Sequence, residues 1–159
     1  MKRTHGFMPT YSRFEILCAS SAKPTPQKDR NSQMSAIRYG MTEMETALHP
    51  TRDDWRVVSD VVNLMETIVT EGWATDVDGL LDDAIGAMAE AGTRHLAGAS
   101  IRLDGPGLRA VRAVLADYET CLDNLSERNM KYAHVATERR VWEITHGRPQ
   151  AHDITVVRV

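Results

Sequence analysis

Long apolar runs are missing from this 159-residue chain. No stretch of 18 or more apolar residues occurs, and the first good helix candidate carries Asp60 and Glu66 inside it, which excludes a transmembrane helix on length and charge. Cysteine is scarce: Cys18 and Cys121 stand far apart with no second thiol near either, so local spacing builds neither a disulfide framework nor a CxxC metal or redox pair. A reducing cytoplasm is the expected home. In "LADYETCLDNL", Cys121 reads as a small packed hydrophobe rather than a nucleophile. The longest secretory-type apolar core, "FEILCA", is short and broken by Glu15, so a cleaved signal is not expected, while the basic, Ser-containing segment leaves a transit-peptide reading open.

Catalytic signatures are also missing. GxxxxGK[ST], GxGxxG, GxSxG and HExxH do not occur. His134 and Glu138 share a helical face, but a zinc site needs three or four convergent ligands; His146, His152 and Asp153 sit around a Gly and a Pro, where helical spacing fixes no geometry. "DGPG" at 104–107 suits an anion at a helix start, yet a turn entering a helix needs the same residues. The acid pairs at 53–54 and 82–83 fall in first turns, where the helix dipole accounts for them. No catalytic residue, cofactor or metal is therefore assigned, and the chain is read as a non-enzyme.

What is present is uneven charge and helical periodicity. The net charge is −3, but positive charge gathers in residues 1–35 and acid in residues 41–93, where Arg52 and Arg56 face twelve carboxylates. Residues 1–40, with "SSAKPTPQKDRNSQ" inside them, show no sustained period and are expected to form a disordered or loosely attached arm ahead of one domain over 41–159.

In that domain Thr51 and Asp54 form a capping pair, Trp55, Val58, Val62, Met65 and Val69 recur at spacings of 3 and 4, and Gly72 stops the helix. A second helix, capped by Asp76 or Asp78, carries Leu81, Ile85 and Met88 beside Ala84, Ala87 and Ala91, small enough for a neighbouring helix to approach closely. A third starts at Asp104 and Pro106 and repeats Leu108, Val111, Leu115, Tyr118, Leu122 and Leu125. The fourth runs from Ser126 to Gly147 with Met130, Ala133, Thr137, Val141 and Ile144 on one side, and either follows a turn or continues the third as one rod. "HDITVVRV" alternates like a strand and is able to pair with "SIRL". The expected fold is all-α, a bundle of three to five helices with a possible two-stranded β-ribbon. Trp55, Val58, Val62, Met65, Ile85, Leu108, Val111, Leu115 and Leu122 form the expected core.

On the fourth helix Arg128, Lys131, Tyr132, Val135 and Arg139, with Arg140 beside them, make a basic face with an aromatic inside it. Such a face fits a phosphate backbone or a protein partner, and Glu127, Glu138 and Glu143 dilute it toward an ordinary solvated face. Over residues 50–153, at "DDWRVVSDVVNLMETIVTEG", "IRLDGPGLRAVRAVLADY" and "ATERRVWEI", the chain resembles a group of small proteins encoded in bacterial phages and conjugative plasmids. The resemblance implies an accessory role on a mobile genetic element and gives no residue a role. The expectation is a protein-interaction or regulatory factor that forms homo-oligomers and binds a host or element protein, away from membranes, with nucleic-acid binding through the basic face as the alternative.

Overall fold

A computed structural model describes residues 6–147. Among them are six helices: α1 (Arg13–Cys18), α2 (Gln27–Thr46), α3 (Arg52–Thr70), α4 (Leu81–Leu96), α5 (Gly105–Asn124) and α6 (Glu127–Thr145), and no strand. The all-α bundle is as expected, with more helices than the three to five anticipated. The C-terminal half of the anticipated β-ribbon lies outside the described residues. Its other half, Ser100–Leu103, is irregular, and Ile101 and Leu103 spend their apolar surface on the core.

α3 sits at the centre and packs against α2, α4, α5 and α6. Its start is the capping pair read from sequence: Thr51 accepts from the Asp54 amide and the Asp54 carboxylate accepts from the Thr51 amide. Gly72 closes its end at φ +73°, a conformation open to glycine at little cost. Val58, Val62, Met65 and Ile68 of its stripe are fully enclosed. Trp55 adds a polar anchor, its indole N–H donating to the Met88 carbonyl of α4 at 2.9 Å. α4 has no cap of its own; Asp76, four residues upstream of the N-cap residue Leu80, accepts from the amides of Leu80 and Leu81 and does that work from the loop. Asp104 caps α5 and Ser126 caps α6, so α5 and α6 are two helices with a turn at Leu125, not one rod.

The expected arm over 1–40 is not what residues 27–40 form. Gln27–Thr46 is a five-turn helix that buries Met34, Ile37, Met41 and Met44 in the same core as Trp55 and Leu122. Their spacing of 3, 4 and 3 is a helical seam that crosses residue 40, and Gly40 lets α2 approach α3 closely: a Cβ there would meet the Asp54 carbonyl at 3.2 Å. The domain thus includes residues assigned to the arm. Every residue of the expected core belongs to this cluster, Ile85 and Leu108 from its edge.

Candidate interaction face

Arg128, Lys131, Tyr132 and Arg139 of the expected α6 face, and Arg140 beside it, have different surroundings. Arg128 reaches the end of α1, its guanidinium donating to the carbonyls of Leu17 (2.9 Å) and Ala19 (3.1 and 3.3 Å). Lys131 lies 2.9 Å from the Glu127 carboxylate and 5.3 Å from the centre of the Tyr11 ring. That carboxylate holds the Lys131 ammonium above its ordinary value, and the ammonium in turn holds Glu127 below the usual carboxylate range. Arg139 lies over the Phe7 ring at 5.5 Å. Arg140 points the other way, into α3, where it donates to Glu66 at 2.6 Å and to the Asn63 carbonyl at 3.3 Å. Tyr132 packs edge-on against Trp73, 5.6 Å between ring centres, and stays 46% exposed.

Arg128, Lys131 and Arg139 are engaged by a segment the sequence reading treated as an arm. Residues 6–25 run along α6 antiparallel to it and meet it turn by turn. Phe7 packs on Trp142 with 6.1 Å between ring centres. The Thr10 amide donates to Glu138 at 2.9 Å and its hydroxyl donates to the same carboxylate. Tyr11 stands edge-on to His134 at 5.9 Å. At the base, the Glu127 and Arg128 amides donate to the carbonyls of Lys23 (2.8 Å) and Ser20 (3.0 Å), so this strap satisfies two of the orphan N–H groups at the start of α6. Phe7, Thr10 and Tyr11 are the residues sequence reasoning missed. The signal was the aromatic spacing of Phe7, Tyr11 and Phe14 and the Ser12–Glu15 capping box, which closes in the structure and starts α1.

The strap's two sides differ. Its inner side meets α6 through rings and hydrogen bonds. α1, in contrast, buries none of its residues, and Phe14 and Leu17, one turn apart, are 75% and 69% exposed. Met8 is exposed as well.

No protein-family model, curated protein or solved structure matches this chain.

Beneath the strap, Tyr11, Gln33, Lys131 and His134 line a pocket of about 20 Å³. Burial pushes the His134 imidazole below its ordinary value, against the pull of the Glu138 carboxylate. His134 and Glu138 do share a face, as expected. Among the described residues no three His, Cys, Asp or Glu side chains gather as a metal ion would require, and His152 and Asp153 lie outside them. Cys121 is buried with its thiol pushed up by that burial, in keeping with a packed hydrophobe, whereas Cys18 is exposed on α1. No helix of the described residues is long and apolar enough to cross a membrane.

The acidic block meets the later bases inside the molecule. Glu45 pairs with Arg112 and Glu66 with Arg140, while Arg30 and Arg38 of α2 pair with Asp123 and Glu119 of α5. Most of these pairs are exposed and individually weak, and their effect is to fix which helix faces which.

Proposed function

We propose that this protein is a non-enzymatic interaction factor, an accessory component of a mobile genetic element that works in the cytoplasm by binding another protein. The observation that carries the reading is the outward pair Phe14 and Leu17 on α1, a helix with no buried residue and with Arg13 beside the pair. Apolar side chains held on a short helix at the surface form a compact anchor for an apolar pocket with an acidic rim. Capture from the native bacterial cell, followed by crosslinking and mass spectrometry, tests it. One protein should be recovered in fixed proportion by the wild type and lost with F14S/L17S, while the variant keeps its helical circular dichroism. Equal recovery by both would refute the role of this pair.

Self-association belongs to the same reading and is checked by sedimentation at micromolar concentration; a monomer throughout would remove it. The nucleic-acid alternative ranks second because Arg128, Lys131 and Arg140 each already have partners within the chain. It predicts that log K for duplex DNA falls by roughly 0.9 per log unit of salt for each phosphate contacted, and that replacing Arg139 flattens the slope by about 1. Replacing Arg140 should instead lower stability with no nucleic acid present, through loss of its Glu66 pair.

A further inference from the structure

We propose that residues 6–18 are a lid over α6 that opens when the solution turns mildly acidic, pivoting at Ala19–Ser20 and uncovering His134 and Trp142. This goes beyond the partner reading and does not depend on it. The lid's attachment is the first observation. Its contacts with α6 are the Phe7 ring on Trp142 and beneath Arg139, the Tyr11 ring on His134 and beside Lys131, two hydrogen bonds from Thr10 to one carboxylate, and the Arg128 bond to Leu17; the buried apolar residues of the core cluster begin only at Met34. Segments attached this way open at low free energy compared with the core. The base differs from the lid, because Ser20 and Lys23 are tied to α6 by main-chain hydrogen bonds and Ala19 is buried. α1 ends at Ala19 in extended backbone, which gives the lid a boundary at which to turn.

The second observation is what the lid covers. His134 sits half-buried under the Tyr11 ring, beside the pocket it shares with Gln33 and Lys131, and the Gln33 side-chain oxygen there is enclosed without a hydrogen-bond partner. A charged imidazole at this place is poorly hydrated while the lid is shut and well hydrated once it opens. Charged and titratable groups face it from four elements. The lid brings Tyr11 and, at α1, Glu15, which acts on Lys131. α6 brings Lys131 and Glu138, the first opposing and the second favouring a charge on His134. α2 contributes the neutral Gln33, α3 contributes Asp60, whose carboxyl feels Glu138, and α5 contributes Tyr118, whose phenol feels Tyr11.

The sign follows. The closed form holds His134 below its ordinary value of 6.5 because of burial, and opening returns it toward that value. Closure is therefore fully favoured above about 6.5 and is lost as pH falls through the open-state value toward the lower closed-state one. Opening gains up to about tenfold for each unit separating the two.

Hydrogen exchange read by mass spectrometry on the full chain, corrected for the intrinsic pH dependence of exchange, measures this. Opening of residues 6–18 should increase severalfold between about pH 7.5 and 5.5 while α3 and α5 keep their protection. H134Q should remove the pH response of that segment, and E138Q should loosen the lid at every pH while keeping the response. Should H134Q fail to fold, the reciprocal measurement serves: in Y11A the His134 ring should titrate closer to an ordinary imidazole than in the wild type, as followed by proton NMR. Lid protection that ignores pH in the wild type, a response that survives in H134Q, or an unchanged His134 titration in Y11A would each overturn the proposal.

Discussion

The hydroxyls of Thr67 and Thr137 meet at 2.6 Å where α3 crosses α6, and both are buried. Thr137 also donates to the Ala133 carbonyl at 2.8 Å, so the proton between the two hydroxyls comes from Thr67. A short chain of donors thus ends on the backbone. Replacing Thr137 with Val removes the acceptor and should cost about 1 kcal/mol, since Thr67 is left with only its long 3.3 Å contact to Asn63. T67V alone leaves Thr137 satisfied and should cost less. The double variant exchanges both groups for apolar ones of the same shape and should come out close to the wild type, giving a coupling in urea unfolding that the sum of the single variants would not show. Half of this pair was legible: Thr137 falls on the apolar series of α6 beside Met130 and Ala133. Its partner lies 70 residues away, and no local spacing predicts such a meeting.

At the scale of elements, α4 and α5 show how small residues set distance. Gly107 in the first turn of α5 lies so close to α4 that a Cβ would meet the Ala87 Cβ at 2.9 Å, and the Asp104 capping oxygen also at 2.9 Å. G107A should therefore lower the melting temperature by several degrees, and A87G should recover part of the loss, because the clash with the cap remains. Thermal unfolding by circular dichroism decides; a gain in stability from G107A would show that the helices simply move apart. The closeness was expected from the Ala-rich face of α4, and the starts of α3, α5 and α6 were read from Thr51, Asp104 and Ser126. α2 was missed for a physical reason. Its N-cap residue is Pro26, with no side chain to cap the helix, and its first two turns are polar, so its seam of Met34, Ile37, Met41 and Met44 emerges only late and was cut at residue 40. The basic face of α6 was legible as a pattern of residues, but not as three environments, because periodicity says which side chains lie together on a helix and not what lies over them.

For the molecule as a whole, the core should lose stability in strong alkali. Tyr118 is enclosed between helices, and burial pushes its phenol well above the ordinary value of 10. The folded state favours the neutral ring, so this contribution is intact below about pH 10 and declines as pH rises beyond it. Ultraviolet titration should find one of the four tyrosines silent until the protein unfolds, and Y118F should unfold at higher pH than the wild type. Simple ionisation of all four at about pH 10 would contradict this enclosure. The antiparallel strap has a different consequence, one for synthesis on the ribosome. Thr10 and Glu138 are 128 residues apart, so at roughly 5–20 residues per second the nascent strap waits on the order of 6–25 s for the helix that receives it. Throughout that interval Phe7, Met8, Phe14 and Leu17 have no α6 to pack against, so their apolar surface is open to association during synthesis.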